Sequence, residues 1–217
     1  MVFSTDCNNG NSDKAEIIDS STKAGNNINE TNGDFKKEFF DWVEVLVHAI
    51  LAVVLCFCFL FRVATIEGDS MKDTLHNSEK VIITNLFYTP SAGDIVVISR
   101  NTENSVYTMD ASKKPIIKRI IATAGQTVDI DFEEGVVYVD GIALDEPYTR
   151  TPTNLKYDID FPVTVDEGCV FVLGDNRNDS LDSRSSQIGD YGMIDTRYIL
   201  GHAICRIFPF DKIGGLK

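Results

Sequence analysis

The clearest pattern along the chain is one long apolar run, Val45–Phe61, which only His48 interrupts. Trp42–Ala64 extends it to 23 residues, and its two charged residues lie near the ends. A helix needs about 20 apolar residues to cross a bilayer. A core helix of a soluble protein would show one apolar face, whereas this run is apolar all round. The pattern therefore predicts one transmembrane helix over residues 39–64.

The polar residues on either side of the run predict its orientation. Residues 1–38 are rich in Asn, Ser, Thr, Asp and Gly and have no sustained apolar period, which is typical of a disordered tail. Lys36 and Lys37 precede the run and acidic residues follow it, which favours a cytoplasmic N-terminus and places residues 65–217 outside. A cleaved signal peptide is disfavoured, because the apolar run starts some 40 residues into the chain and no small-residue cleavage motif follows it.

Beyond residue 65 the pattern changes to short runs rich in β-branched and aromatic residues, with turn residues between them. The runs are 80–88, 94–99, 115–123, 127–131, 135–141, 169–174 and 198–208. Asp140–Gly141, between the segments Gly135–Val139 and Ile142–Glu146, is typical of a hairpin turn. We predict a mainly β domain, an antiparallel barrel or sandwich, over residues 65–217. It carries a loop-rich insert at about 127–168, and the irregular part of that insert is 142–168.

Charge and cysteine content narrow the functional classes. The net charge is −13, which argues against a nucleic-acid partner, because such binding needs a basic surface. The five cysteines show no metal-ligand spacing, and we expect neither a metal nor another cofactor. Cys169 and Cys205 are the two cysteines of the outer domain. Whether they form a disulfide stays open at this point.

Two short segments suggest nucleophilic chemistry. Ser70 lies a few residues after the predicted membrane exit, and Lys118 lies in a strand-like run between isoleucines. A serine hydroxyl needs a base to become a good nucleophile. The two histidines of the outer domain, His76 and His202, have no evident orienting carboxylate near them in sequence. A lysine can be the base when an apolar site favours its uncharged form.

A third segment, Gly174–Arg184, follows an apolar strand and concentrates charged and hydroxyl side chains. An ordinary polar turn does not need two arginines and three aspartates within eleven residues. Their close spacing predicts a network of ion pairs and hydrogen bonds that fixes a loop against a site.

These three segments together resemble the type I signal peptidase family, in its Gram-positive branch, over about residues 36–208. Ser70-Met71 matches the nucleophile box, Lys118-Arg119 the lysine box, and Gly174–Arg184 the C-terminal box. The resemblance implies a membrane-bound serine endopeptidase with a Ser–Lys dyad. It also implies secreted preproteins with small residues before the cleavage site as partners, and a single-pass location in the cell membrane with lipid around the anchor.

The resemblance also implies a role for each matching residue. Ser70 would be the nucleophile and Lys118 the general base and later the general acid, with the Ser70 backbone N–H in the oxyanion hole. Ser180 would orient the lysine amine, and Met71 would lie near the membrane surface or the substrate pockets. The implied supporting ion pairs are Asp182 with Arg184 and Asp175 with Arg119.

One departure keeps a second interpretation open. Asp73 stands where the family has proline, and its charge near the base would disfavour the uncharged lysine. The alternative is therefore a catalytically impaired or specialised membrane-anchored homologue that binds or processes pilin-like substrates. A self-cleaving Ser–Lys repressor-type protease is disfavoured, because the chain has a predicted membrane span and no DNA-binding segment.

Overall fold

The computed structural model describes residues 13–99 and 114–216, and these divide between Phe57 and Cys58 into two compact units. Helix α1 spans Asp13–Leu60. Its stretch Lys36–Cys58 is long and apolar enough to cross a membrane. Every side chain described in that stretch is exposed, as expected of a helix without a protein core around it.

Helix α1 begins inside the segment that we predicted to be a disordered tail. Residues 13–38 are helical in the structure, and residues 1–12 lie outside the described residues. The physical reason is that extending an existing helix is much easier than starting one, since each added residue brings one hydrogen bond. The proposed boundaries between tail, span and outer domain stay predictions.

The second unit consists of short strands that pair antiparallel throughout the described chain. The strands are β1 (Arg62–Thr65), β2 (Lys80–Thr84), β3 (Ile95–Ile98), β4 (Ile116–Thr123), β5 (Thr127–Asp131), β6 (Val136–Val139), β7 (Ile142–Ala143), β8 (Val163–Thr164), β9 (Cys169–Leu173), β10 (Met193–Asp195), β11 (Ile199–Phe208) and β12 (Gly214–Gly215). All seven predicted runs contain a strand. The mainly β, antiparallel fold class with one N-terminal apolar helix is therefore confirmed.

The strands form two sheets. The larger has the order β1-β2-β11-β3-β4-β9-β10, with β12 paired to β11, and the smaller has the order β7-β6-β5-β8. Asp140 and Gly141 have φ values of 53° and 76° in the hairpin between β6 and β7, as the two-residue turn predicted. Outside the short β7 and β8, residues 142–168 contain no strand.

The position of β4 in the larger sheet explains how it can hold polar side chains in the interior. It lies between β3 and β9, and its six central residues are all buried, including Lys118 and Arg119. Successive residues of a strand point to opposite faces, so the two basic side chains enter different surroundings. Met71 and Leu75 pack in the apolar cluster on one of these faces.

Sheet order also answers the question of the disulfide. Cys169 on β9 and Cys205 on β11 are both free cysteines. Two strands lie between them in the sheet. Because neighbouring strands are about 4.8 Å apart, three steps exceed the Cα separation that a disulfide can bridge.

Candidate active site

The serine and the lysine that we predicted to be catalytic lie side by side. Lys118 Nζ is 2.7 Å from Ser70 Oγ, and it also donates to its neighbour, the Ile117 carbonyl, at 3.0 Å. Lys118 is 2% exposed, whereas Ser70 is only partly buried. The amine is thus shielded from water while the hydroxyl remains accessible from outside, which suits a base and a nucleophile, respectively.

The loop that carries Ser70 is fixed by a short turn and by two apolar side chains. The Met71 carbonyl accepts hydrogen bonds from the N–H groups of Thr74 and Leu75, at 3.1 Å and 2.8 Å. Met71 is 1% exposed and Leu75 is fully buried. The Met71 side chain anchors the nucleophile loop in the core, and its place near the membrane surface or the substrate pockets stays a prediction.

Asn176 joins the C-terminal box to the nucleophile loop. Its backbone N–H donates to the Ser70 carbonyl at 3.0 Å, and its side-chain amide donates to the Asp69 carbonyl at 3.0 Å. Gly174 makes this close approach possible, because a Cβ at that position would collide with Ser180 Oγ and the Ser70 carbonyl oxygen. The C-terminal box thus fixes the two peptide groups that flank Ser70, including the one that carries the Ser70 N–H.

Both predicted ion pairs are present. Arg119 binds the two carboxylate oxygens of Asp175 at 2.8 Å each, and Arg184 binds those of Asp182 at 2.8 Å and 2.9 Å. All four side chains are essentially fully buried. Asp182 also accepts the Gly174 N–H at 3.0 Å, so this pair holds the start of the box loop as well. Bidentate arginine–carboxylate pairs fix direction as well as distance.

Ser180 does not make the hydrogen bond that we predicted. Its hydroxyl is buried beside Gly174 and has no hydrogen-bond partner, so the expected bond to the Lys118 amine is absent. Its backbone carbonyl instead accepts from Tyr157 Oη at 3.0 Å. The physical reason is that the backbone contacts of the box loop, rather than the hydroxyl, fix the position of Ser180.

A second set of contacts, which no sequence pattern indicated, lies beside the Arg119–Asp175 pair. Arg177 binds both carboxylate oxygens of Glu146, at 2.6 Å and 2.7 Å, and the Tyr148 ring lies 3.9 Å from the Arg119 guanidinium. Burial and the adjacent Glu146 carboxylate, which accepts from Tyr148 Oη at 2.8 Å, raise the pKa of Tyr148 well above its ordinary value. Glu146 and Tyr148 lie in the irregular part of the insert, 142–168, where no sequence spacing indicates which residues they contact.

Two contacts that no sequence pattern singled out hold Thr74 from two sides. Thr74 Oγ1 donates to Asp175 Oδ2 at 2.5 Å. Its carbonyl accepts from Arg206 Nη1 at 3.1 Å, and the same arginine nitrogen donates to the buried Glu79 at 3.0 Å. The nucleophile loop is therefore tied to two separate ion pairs, one on β4 and one on β11. The one sequence signal was Glu79, directly before β2. Acidic residues are too common in that position to predict a contact.

Asp73 has a conformation that the family's proline cannot adopt. Its φ is 85°, whereas a proline ring fixes φ near −65°. Its carboxylate lies 3.3 Å from Arg150 Nε, at the exposed edge of the insert. The charge that we expected to disfavour a neutral base is therefore paired with a cation.

No group of three or more His, Cys, Asp or Glu residues suited to a metal ion occurs within residues 13–99 and 114–216.

Comparison with known proteins places this chain in a family. The family model for signal peptidase, peptidase S26, matches residues 39–208. A signal peptidase I of Bacillus licheniformis is 32% identical over 194 residues, which cover 85% of this chain and 96% of that protein. A probable signal peptidase I-1 of a Synechocystis species is 36% identical over 175 residues, covering 79% and 83% of the two chains. A crystal structure of a signal peptidase I from Enterococcus faecalis V583 is 28% identical and covers 53% of this chain and 97% of that one, with a TM-score of 0.38. The chain therefore belongs to the signal peptidase family, peptidase S26, and its activity is that of a signal peptidase.

Proposed function

We propose that Ser70 and Lys118 form the catalytic dyad of this signal peptidase. The observation that carries the proposal is the distance of 2.7 Å between Ser70 Oγ and the buried Lys118 Nζ. A base must lie within hydrogen-bond reach of the proton that it removes, and this geometry meets that requirement. The buried surroundings of the amine favour its uncharged form, in which the nitrogen lone pair is free to accept the proton.

The reaction then proceeds in two halves. Ser70 Oγ attacks the scissile carbonyl while its proton passes to Lys118 Nζ, and the same nitrogen protonates the leaving amine. The Ser70 backbone N–H, whose position Asn176 fixes through the neighbouring carbonyls, donates to the developing oxyanion. Water then hydrolyses the acyl-enzyme, and Lys118 accepts a proton from that water. Supporting roles for Arg119, Asp175, Asp182 and Arg184 belong to this proposal.

We propose further that the enzyme is anchored by one helix and acts outside the cytoplasm. The apolar stretch Lys36–Cys58 supports the anchor, and the two lysines at its start support a cytoplasmic N-terminus. Its substrates are exported preproteins, cut after small side chains. The family supports signal-peptide removal in general, and the preference for small residues comes from the resemblance.

The dyad is tested by cleavage of a preprotein with the full chain in detergent. We expect Ser70→Ala and Lys118→Ala each to lower kcat by about 10³-fold or more, since residues that act as a unit fail together. The matched control is Lys114→Ala, which removes an exposed lysine four residues earlier that pairs only with Glu67 among the contacts described. Cleavage by either dyad variant at the rate of the control would overturn the assignment.

The pH profile of the same assay gives an independent readout. Lys118 must lose its proton to act as a base, so the wild-type rate should rise on the alkaline side. A histidine base would instead give a midpoint near 6.5. A profile that is flat between about pH 5 and 10 would contradict a lysine base.

The alternative interpretation, a catalytically impaired or pilin-specialised homologue, has lost its main support. It depended on an uncompensated charge at Asp73, and that charge is paired with Arg150. An inert wild-type enzyme would restore this alternative.

A further inference from the structure

The Tyr148 ring of the insert packs against the guanidinium of Arg119. The ring centre lies 3.9 Å from the guanidinium carbon, and Arg119 is 1% exposed. A guanidinium over an aromatic face is attracted by the negative surface of the ring, and the attraction is larger where water is excluded. The guanidinium carbon of Arg177 is 5.9 Å from the centre of the same ring. Tyr148 thus contacts the arginine that follows the candidate base and an arginine of the C-terminal box.

Arg119 connects β4 with the nucleophile loop and with the C-terminal box. Its Nε and Nη2 bind Asp175 at 2.8 Å each, and its Nη1 donates to the Gly93 carbonyl at 2.7 Å. Asp175 Oδ2 also accepts the hydroxyl of Thr74, in the nucleophile loop, at 2.5 Å. The guanidinium is therefore bound along its edges by hydrogen bonds and on one face by the aromatic ring.

A cavity of about 780 Å³ lies next to this network. Arg119, Tyr148, Asp94 and Asp145 are among the residues that line it. A water molecule occupies about 30 Å³ in the liquid, so the cavity has room for water. Arg119 is nevertheless almost fully buried, because the ring covers one face of its guanidinium. An ion pair weakens when water reaches it, so removal of the ring would weaken the Arg119–Asp175 pair.

The orientation of the ring is fixed through its hydroxyl. Tyr148 Oη donates to Glu146 Oε1 at 2.8 Å, and the two oxygens of Glu146 accept from Arg177 at 2.6 Å and 2.7 Å. Arg177 is fully buried, and its Nε donates to the Gly174 carbonyl at 3.1 Å. These contacts join the insert to the C-terminal box and hold the ring in place over Arg119.

The ring reaches both reacting groups through this network. Arg119 directly follows Lys118 in β4, and Asp175 binds Thr74, which lies four residues after Ser70. A displacement of Arg119 therefore moves the backbone that carries the amine relative to the loop that carries the hydroxyl. Such a change alters the geometry of the reaction, on which kcat depends steeply. An effect on kcat is expected, with little effect on KM.

We propose that Tyr148 is a positioning residue for the catalytic lysine. Its ring holds the Arg119–Asp175 pair in place and keeps water from it, and this pair keeps Lys118 Nζ within hydrogen-bond distance of Ser70 Oγ. The proposal rests on the dyad given under the proposed function. It gives the insert a part in the reaction, although the insert carries neither reacting group.

Steady-state cleavage of a preprotein by the full chain in detergent tests this role. Tyr148→Leu removes the aromatic face, and we expect kcat to fall about tenfold or more while KM stays within about twofold. Tyr148→Phe keeps the ring and should retain kcat to within about threefold. The matched control is Phe132→Leu, which removes a ring that packs 5.7 Å from Phe161 against the apolar cluster of the smaller sheet. This control should lower the melting temperature and leave kcat unchanged at temperatures where circular dichroism shows each variant folded.

A double-mutant cycle with Arg119→Lys tests the route of the effect. Lysine keeps the charge but lacks the planar group, so Arg119→Lys should lower kcat by itself. If Tyr148 acts through Arg119, adding Tyr148→Leu in that background should lower kcat by less than about twofold. Losses that multiply in the double variant would overturn the proposal. So would a Tyr148→Leu enzyme with the wild-type kcat, or a Tyr148→Phe enzyme that is as impaired as Tyr148→Leu.

Further variants keep the test decisive. Tyr148→Met carries the same expectation if Tyr148→Leu does not fold, because its flexible side chain fills space without an aromatic face. Full activity of Ser70→Ala would refute the dyad itself. An inert Ser70→Ala enzyme together with an unimpaired Tyr148→Leu enzyme would refute the positioning role alone, so the two failures are distinguishable.

Discussion

Ion pairs hold the active site in two different ways, one in the interior and one at the edge. In the box loop, Asp182 and Arg184 are fully buried and joined by two hydrogen bonds of 2.8 Å and 2.9 Å. At the edge of the insert, Asp73 and Arg150 approach to 3.3 Å, with side chains that are 34% and 73% exposed. Both pairs join a carboxylate to a guanidinium, and they differ in how far they are exposed to water.

Burial determines what each pair contributes. A buried charge is tolerated only when its partner and hydrogen bonds are all in place, so the interior pair fixes one loop geometry and is costly to break. An exposed pair gains little in water and is screened by salt. The interior pair therefore fixes the box loop, whereas the pair at Asp73 contributes little to the stability of its loop.

Breaking the interior pair should have the largest effect. Asp182→Ala leaves Arg184 buried without its carboxylate, and we expect a loss of about 3–5 kcal/mol in the free energy of unfolding. Thermal and urea unfolding of the full chain in detergent measure this loss. The matched control is Asp195→Ala, which removes a carboxylate from Arg197, whose side chain is 82% exposed. Equal losses in the two variants would show that burial does not set the difference.

A pair of intermediate burial should give an intermediate effect. Arg206 is 20% exposed in its side chain and joins Glu79 to the Thr74 carbonyl. Arg206→Met should lower stability by about 1.5–3 kcal/mol, the usual range for a hydrogen bond with a charged group. Because Thr74 lies four residues after Ser70, kcat should also fall while KM changes little.

Lys212→Met is the control for Arg206. Lys212 Nζ is 3.9 Å from Glu79, the same carboxylate that Arg206 binds, and its side chain is 46% exposed. A purely structural role for Arg206 would lower the melting temperature without changing kcat at temperatures where the protein is folded. That result would contradict a positioning role.

The strands with strong patterns could be predicted from sequence, and the short edge strands could not. The apolar runs around Ile95, Ile116 and Val170 each fold as predicted, because buried strands need several β-branched residues in succession. The strands β8 and β12 have two residues each, which is too short for an alternating pattern. They exist because neighbouring strands supply their hydrogen bonds.

The candidate active site shows a similar limit, because contacts between residues far apart in sequence could not be predicted. Asp182 and Arg184 are two residues apart, and the family box indicates their pairing directly. Arg206 and Thr74 are separated by 132 residues, and only the pairing of β11 with β2 brings them together. The prediction for Ser180 was wrong for a related reason, since the direction of a hydroxyl depends on backbone contacts that a motif does not encode.

A smaller effect is expected above pH 10. The pKa of Tyr148 is raised by burial and by Glu146, so the folded state keeps a phenolic proton that the unfolded chain loses near its ordinary pKa of 10.0. The unfolded state then binds fewer protons, and stability falls as the pH rises above about 10. Tyr148→Phe should remove this contribution and flatten the alkaline limb of the unfolding free energy. If the fall in the unfolding free energy above about pH 10 is unchanged in this variant, a group other than Tyr148 titrates there.

The exposed pair at the edge should give the smallest effect. Arg150→Gln removes the cation from Asp73 but leaves that carboxylate in water, so the expected loss of stability is below about 1 kcal/mol. The cleavage rate tests whether the pair also shields the dyad. If Arg150 neutralises Asp73, the alkaline rise in rate should move to higher pH in Arg150→Gln, because an unpaired carboxylate near the base favours its charged form. Asp73→Asn in the same background should reverse that movement, since it removes the carboxylate itself. A profile that stays fixed in both variants would show that Asp73 does not act on the base through its charge, and that its positive φ alone separates this loop from the family's proline turn.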